Sequence, residues 1–277
     1  MTLTPVIIDF HTHIFPPDVR DRRDDYVRRD PTFAEMYANP KAKIATAEDL
    51  LASMDEAGVD RSVALGFVWQ DHETISRHND YLLDAAAKSG GRVRAFSTVN
   101  MAAPSAANEI ERCSGAGARG LGELRPENQG WSLDGAAGEA LADLARRLGL
   151  MLLFHVTEPG DRSYPGRPGC ELDSFRPFAE RHPDLTIIGA HLGGGFYAGE
   201  PSSATPYVDT AAQPFLHPGG QANAALAYVP PDRLLFGSDY PLISQARQIA
   251  ELRAAIDDET RLEAALGGTA RRLLGIP

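Results

Sequence analysis

The stretch Val6-Ile7-Ile8-Asp9-Phe10-His11-Thr12-His13 decides how the rest of the chain is read. Residues 6–10 are a β-branched and aromatic run of the length expected for a buried strand. Side chains alternate across a strand with a period of two, so the imidazoles of His11 and His13 leave its end on the same side. Two imidazoles on one face can chelate a borderline cation such as Zn²⁺, each at ~2.0–2.1 Å. The pair also reads as two polar residues at a strand end, so the remainder of the chain has to decide between them.

After His13 comes a long excursion over residues 14–45, broken by Pro16-Pro17, Pro31 and Pro40. Thr46 with Asp49 three residues on approximates a capping box, and Gly58 closes the helix between. Strand and helix then alternate. Strands are predicted at 61–67, 93–99, Gly120–Leu124, 150–155, 185–191, 207–210 and 233–238. Helices are predicted up to about residue 88, after Pro104, over 136–148, at Leu172–Arg181, and at about 244–256 and 258–274. With the opening strand this makes eight short apolar strands alternating with helices, the pattern of parallel βαβ units. Eight units in 277 residues fit an α/β fold of the (β/α)8 TIM-barrel type. A doubly wound sheet fits less well, because no GxGxxG follows the first strand. The expectation is one domain over residues 1–277 with an insertion at about 14–45.

Composition narrows the partners. The chain has 43% apolar and 23% charged residues, which is ordinary globular composition. With 27 Lys and Arg against 38 Asp and Glu its net charge is −11, and no basic cluster offsets it. Such a chain is a poor match for nucleic acid or for anionic membrane surfaces. Cys113 and Cys170 make no disulfide framework and show no CxxC spacing. Met1-Thr2-Leu3-Thr4-Pro5 lacks the basic and apolar regions of a secretory signal, so the expected location is cytoplasmic. Homo-oligomer formation is left open.

Glu123, His155, His191 and Asp239 each fall at the end of a predicted strand, as His11 and His13 do. In a closed parallel barrel those ends converge on one mouth. Singly, each residue also reads as a hydrogen-bonded rim residue. Together, four histidines and an aspartate at strand ends are hard to explain without a metal. His72, His78, His182 and His217 carry no such pattern and read as structural.

These residues sit in motifs that resemble a known family. Ile8-Asp9-Phe10-His11-Thr12-His13, Phe154-His155-Val156, Gly189-Ala190-His191-Leu192-Gly193-Gly194-Gly195 and Leu235-Phe236-Gly237-Ser238-Asp239-Tyr240-Pro241, in that order, resemble the amidohydrolase superfamily. Within it they resemble the group often called amidohydrolase family 2. The tail Leu266-Gly267-Gly268-Thr269-Ala270-Arg271-Arg272-Leu273-Leu274-Gly275 is similar to the family's closing helix, with Thr269 where the family usually has Asn.

The resemblance implies a distorted (β/α)8 barrel holding one or two divalent ions. Zn²⁺ is the first expectation; Mn²⁺, Co²⁺ and Fe²⁺ suit the same ligand types. His11, His13, His155 and Asp239 would be ligands, and Asp239 would also orient or deprotonate a bound water. His191 would be a second-metal ligand or an acid/base group. Gly122-Glu123 resembles the binuclear TatD-like deoxyribonuclease branch, where the Glu touches metal; the other reading of Glu123 is a carboxylate facing substrate or supporting a ligand.

Residues after the strands suggest the substrate. Trp69 and Gln70, then Arg125, Gln129 and Trp131, then Arg162 and Tyr164, then Phe196 and Tyr197 offer aromatics with a few guanidinium groups. This suits a small, partly apolar, acid-like molecule. The first functional expectation is a metal-dependent hydrolase of a C–O or C–N bond in a lactone, ester or amide. The second is a metal-dependent non-oxidative decarboxylase of a small aromatic or semialdehyde carboxylic acid. The third is a metal-bearing protein without catalysis.

Overall fold

The computed structural model describes residues 6–157, 164–199, 201–216 and 221–276. Ten strands occur among them: β1 (Ile8–His13), β2 (Arg61–Leu65), β3 (Val93–Ser97), β4 (Gly120–Leu124), β5 (Met151–Phe154), β6 (Val156–Thr157), β7 (Cys170–Glu171), β8 (Ile187–Gly189), β9 (Tyr207–Asp209) and β10 (Leu234–Leu235). Eight form one parallel sheet in the order β1-β2-β3-β4-β5-β8-β9-β10, while β6 and β7 pair apart from it. The sheet closes on itself where β1 meets the chain after β10. There Phe10 N donates to Phe236 O at 2.7 Å, His13 N to Tyr240 O at 2.7 Å, and Asp239 N to His11 O at 2.9 Å. The expected (β/α)8 barrel is therefore the observed architecture. No helix among the described residues is long and apolar enough to cross a membrane.

Local chemistry sets several element ends. Thr46 and Asp49 make the reciprocal capping box that starts the helix Ala47–Ala57, and Gly58 ends it with φ 69°. The Asp71 carboxylate accepts from Thr74 N at 2.8 Å and starts the helix His72–Lys88. The helices Ala136–Leu148 and Leu172–Arg181 occupy the residues their patterns predict.

Differences from the expected boundaries have physical reasons. The first strand runs through the His-Thr-His segment, because Thr12 and His13 pair with Ala64 and Leu65 of β2. The sixth and eighth barrel strands are shorter than predicted: β8 stops at Gly189 and β10 at Leu235, and the chain beyond them turns towards the mouth. The 14–45 excursion contains three short helices, Pro17–Asp21, Arg23–Arg29 and Pro31–Tyr37. The closing helix is interrupted by a wider turn at Ala264–Gly268.

The barrel interior has an apolar floor. Ile8, Phe10, Val63, Leu65, Phe96, Leu153, Ile188 and Leu235, from six of the strands, pack together there with almost no exposure. A bulge in β1 places one extra residue between Asp9 and Thr12 relative to β2. This lets successive residues face inwards, Phe10 to the floor and His11 to the mouth. β4 carries a matching irregularity between Leu121 and Leu124, beside Glu123.

Candidate metal centre and substrate cavity

The strand ends deliver two groups of potential metal donors, His11–His13–Asp239 and Glu123–His155–His191. Ligands ~2.1 Å from one ion, at angles between octahedral and tetrahedral, stand roughly 3.0–3.4 Å apart. In the first group His11 Nε2 lies 3.1 Å from His13 Nε2. Asp239 Oδ1 lies 3.6 Å from His11 Nε2 and 3.4 Å from His13 Nε2. In the second, Glu123 Oε1 is 2.8 Å from His155 Nδ1 and 3.2 Å from His191 Nε2, and those nitrogens are 3.0 Å apart. Glu123 also reaches to 3.8 Å from His11 Nε2 and 3.9 Å from His13 Nε2. The spacing and the imidazole–carboxylate chemistry fit a divalent cation, the first group with no other cation against it among the described residues.

Supporting contacts aim the donors. Asp209, fully buried at the end of β9, accepts from His11 Nδ1 at 2.8 Å through one carboxylate oxygen. Its other oxygen accepts from the backbone of His191 and Ala211, each at 3.0 Å. Burial works against the charged His11 imidazole, yet the Asp209 carboxylate outweighs it and pushes the pKa up to about 10. A cation held at Nε2 would displace the proton there, and the Nδ1–H would stay on Asp209. Asp239 is held below the usual carboxylate range: burial opposes ionisation, but the His13 contact and the charges of His11, His13 and His191 prevail. Glu123 is likewise held low against burial, by His155 and Arg125.

His191 and Asp239 both hold left-handed backbone, at φ 58° and 63°. Such conformations cost of order 1 kcal/mol or more and persist where the surroundings enforce them. Here the Asp209 contact to His191 N and the Asp239 N–H bond to His11 O do so. Gly237 lets the strands close behind them. A Cβ there would stand 2.9 Å from His11 Cβ and 3.3 Å from Asp209.

Above the donors lies a cavity of about 340 Å³. His13, Glu123, Arg125, His155, His191 and Asp239 line its base. Met36, Tyr37, Phe67, Val68, Tyr164, Phe215, Leu216 and Leu242 supply largely apolar walls, with Lys43 among the lining residues. Lys43 is exposed and makes no ion pair among the described residues. Tyr37 keeps its proton, because burial and the Asp239 charge push its pKa up.

The expected substrate residues divide. Arg125 and Tyr164 line the cavity. Trp69 and Trp131 do not: large aromatics following a strand turned into the core instead. Trp69 is 1% exposed, stacks on Phe33 with ring centres 5.0 Å apart and donates to His78 Nδ1 at 2.9 Å. Trp131 is 7% exposed and donates to Gln129 Oε1 at 3.2 Å, while Gln129 binds the Trp69 carbonyl at 2.8 Å. Gln70 is likewise tied up, donating to the Asn128 carbonyl at 2.6 Å. Phe196 packs on Phe175, and the Tyr197 hydroxyl donates to Pro206 O at 2.6 Å. Arg162 and His217 lie outside the described residues. Asp209 escaped the sequence reading, its only signal being an acid at the end of a short strand; Met36, Tyr37 and Lys43 were hidden in the excursion.

Residues 8–276 match the family model described as amidohydrolase. The chain belongs to the amidohydrolase family. No curated protein matches this amidohydrolase. Several solved structures do. 5-Carboxyvanillate decarboxylase from Sphingomonas paucimobilis is 20% identical with a TM-score of 0.75, over 99% of this chain and 100% of that one. The 5-carboxyvanillate decarboxylase from Novosphingobium aromaticivorans, solved as a mutant with bound manganese and 3-methoxy-4-hydroxy-5-nitrobenzoic acid, is 15% identical with a TM-score of 0.76, over 98% and 97%. A probable 2-pyrone-4,6-dicarboxylic acid hydrolase from Acinetobacter baumannii, with citric acid bound, is 14% identical with a TM-score of 0.70, over 98% and 99%. At these identities the likeness establishes the barrel fold.

Proposed function

We propose that this amidohydrolase is a divalent-metal-dependent decarboxylase of a small aromatic carboxylic acid. The observation that carries the reading is the cavity: apolar and aromatic walls over a base of imidazoles, carboxylates and one guanidinium. Such walls suit a flat ring with one acidic edge and little else polar. The similarity to structures whose names include aromatic-acid decarboxylases supports it. It reverses the order of the sequence expectations, in which hydrolysis stood first.

A cation held by His11, His13 and Asp239, Mn²⁺ or Zn²⁺ by ligand type, would supply a Lewis acid for the substrate's carboxylate or the hydroxyl beside it. Met36, Phe67, Val68 and Leu216 would exclude water from that carboxylate, stripping hydration that favours the anion over neutral CO₂. Lys43 would draw anionic substrate to the mouth. When the C–C bond breaks, its electron pair stays on the ring carbon and takes a proton. His191 would give it: the ring lines the cavity, and although burial opposes its charge, the Glu123 hydrogen bond raises its pKa.

One observation favours hydrolysis as a second reading. Glu123 stands between the two donor groups, where a carboxylate could bridge two ions around a shared water. The deciding experiment incubates metal-loaded protein in D₂O with hydroxylated benzoates, lactones and amides. CO₂ release with one deuterium at the vacated ring position is the expected result. Acid release from a lactone or amide, with no CO₂ from any aryl acid, would overturn decarboxylation.

A further inference from the structure

The lower end of the barrel, away from the donors, gathers three guanidinium groups that the sequence keeps far apart. Arg61 opens β2, Arg94 is the second residue of β3, and Arg119 comes directly before β4. These strands are neighbours in the sheet, with Val63 paired to Arg94 and Phe96 to Gly120. Val63 and Phe96 belong to the apolar floor inside the barrel. Side chains two residues earlier share their face, so Arg61 and Arg94 project inwards below that floor. Arg119 N donates to Ala95 O at 3.0 Å, which sets Arg119 next to the same stretch of β3.

No carboxylate answers this charge. Other arginines at the same end are paired: Arg92 Nη1 lies 2.6 Å from Asp55 Oδ1, and Arg233 Nη1 lies 3.0 Å from Asp232 Oδ2. Arg61 spends one N–H on Gly91 O at 2.6 Å. Among the described residues Arg94 and Arg119 make no ion pair and no side-chain hydrogen bond. Arg94 is partly buried, and that burial acts with the charges of Arg61 and Arg119 to lower its pKa. Each guanidinium carries five N–H donors, and most of these are idle here. The chain's net charge of −11 does not cancel the cluster, because exposed charges beyond ~8 Å are largely screened at physiological salt.

We propose that Arg61, Arg94 and Arg119 form an anion site for a phosphate-class dianion, either free phosphate or a small phosphomonoester. The planar N–H fork of each guanidinium matches two oxygens of such a group. A compact dianion also offsets three neighbouring cations better than one carboxylate would. The site lies at the opposite end of the barrel from His11, His13 and Asp239, so it stands whichever bond the enzyme breaks, and its test needs no substrate.

The test is calorimetric titration of the full chain with inorganic phosphate, once metal-loaded and once with chelator, at an ionic strength held constant with sodium chloride. One saturable site per chain is expected, the same in both preparations, with a melting temperature that rises with phosphate and not with chloride. Arg94→Gln, alone or with Arg119→Gln, removes charge without breaking a pair. These variants should fold as the wild type does, by circular dichroism, and bind phosphate about tenfold or more weakly. Methyl phosphate in the same titration separates the two sources: tighter binding than phosphate assigns the site to an ester, and equal or weaker binding to the free ion. No saturable heat, binding only in the metal-loaded protein, or wild-type affinity in the folded double variant would overturn the site.

Discussion

Asp209→Asn isolates the second oxygen of a buried carboxylate. In the wild type one Asp209 oxygen accepts from two backbone N–H groups, and the other accepts from His11 Nδ1 at 2.8 Å. Asparagine can keep its carbonyl oxygen on the two backbone donors. Its NH₂ then faces His11 Nδ1 as a donor, which forces the imidazole proton to Nε2. Nε2 is the atom that would offer a lone pair to a cation held beside His13 and Asp239. Loss of such a supporting contact typically lowers metal affinity ~10–100-fold, equivalent to about 1.4–2.7 kcal/mol. Fold stability without metal should also fall, because the backbone donors stay paired but the buried pair between Asp209 and the charged His11 imidazole is lost. Asp209→Ala, by contrast, strands those donors as well, at ~1–3 kcal/mol for each buried group left unpaired. Chelator competition gives the metal Kd, and thermal melts with and without metal separate the two effects. If Asp209→Asn bound metal within twofold of wild type, the argument that Asp209 sets the His11 tautomer would be refuted.

Two further outcomes rest on the same kind of contact. The double variant His11→Ala with His13→Ala should lose its metal altogether by elemental analysis; stoichiometric metal retained in it would place the ion elsewhere. His78 is buried, donates from Nε2 to Ile14 O at 2.7 Å and accepts from Trp69, and burial lowers its pKa to about 4 from 6.5. The unfolded chain therefore binds the extra proton first as pH falls, so this contribution is intact above pH ~6.5 and is lost progressively towards pH ~4, by up to about 3 kcal/mol. Melting temperature against pH should show that slope in the wild type and a shallower one in His78→Gln; parallel curves would sink it.

The donors were legible because each is announced locally. An apolar run followed by His11, His155 or His191, or by Asp239, is a strand meeting a barrel mouth, and four such ends in order leave few arrangements. Asp209 was not legible, since a three-residue strand carries almost no periodic signal. Nor was the direction of Trp69 and Trp131. Following a strand end puts a residue near the mouth in sequence, but an indole goes where its area is best buried. For Trp69 that is among Phe33, Phe67 and Tyr26.

Short segments of the chain were enough to specify the barrel, the order of its strands and the candidate metal donors, because periodicity and strand-end position are local properties. Which donors share a point in space, and what already sits on them, is settled by packing between distant segments. Arg125 follows Glu123 by two residues, yet its place on His155 depends on a bulge in β4 and on two carbonyls of the 164–169 segment. The cavity wall made by Met36, Tyr37 and Lys43 depends on the excursion folding back over the mouth, anchored by Phe15, Phe33 and Tyr37 against Phe67. Both are contacts between segments far apart in the chain, set by packing and charge compensation, and neither leaves a pattern along the sequence.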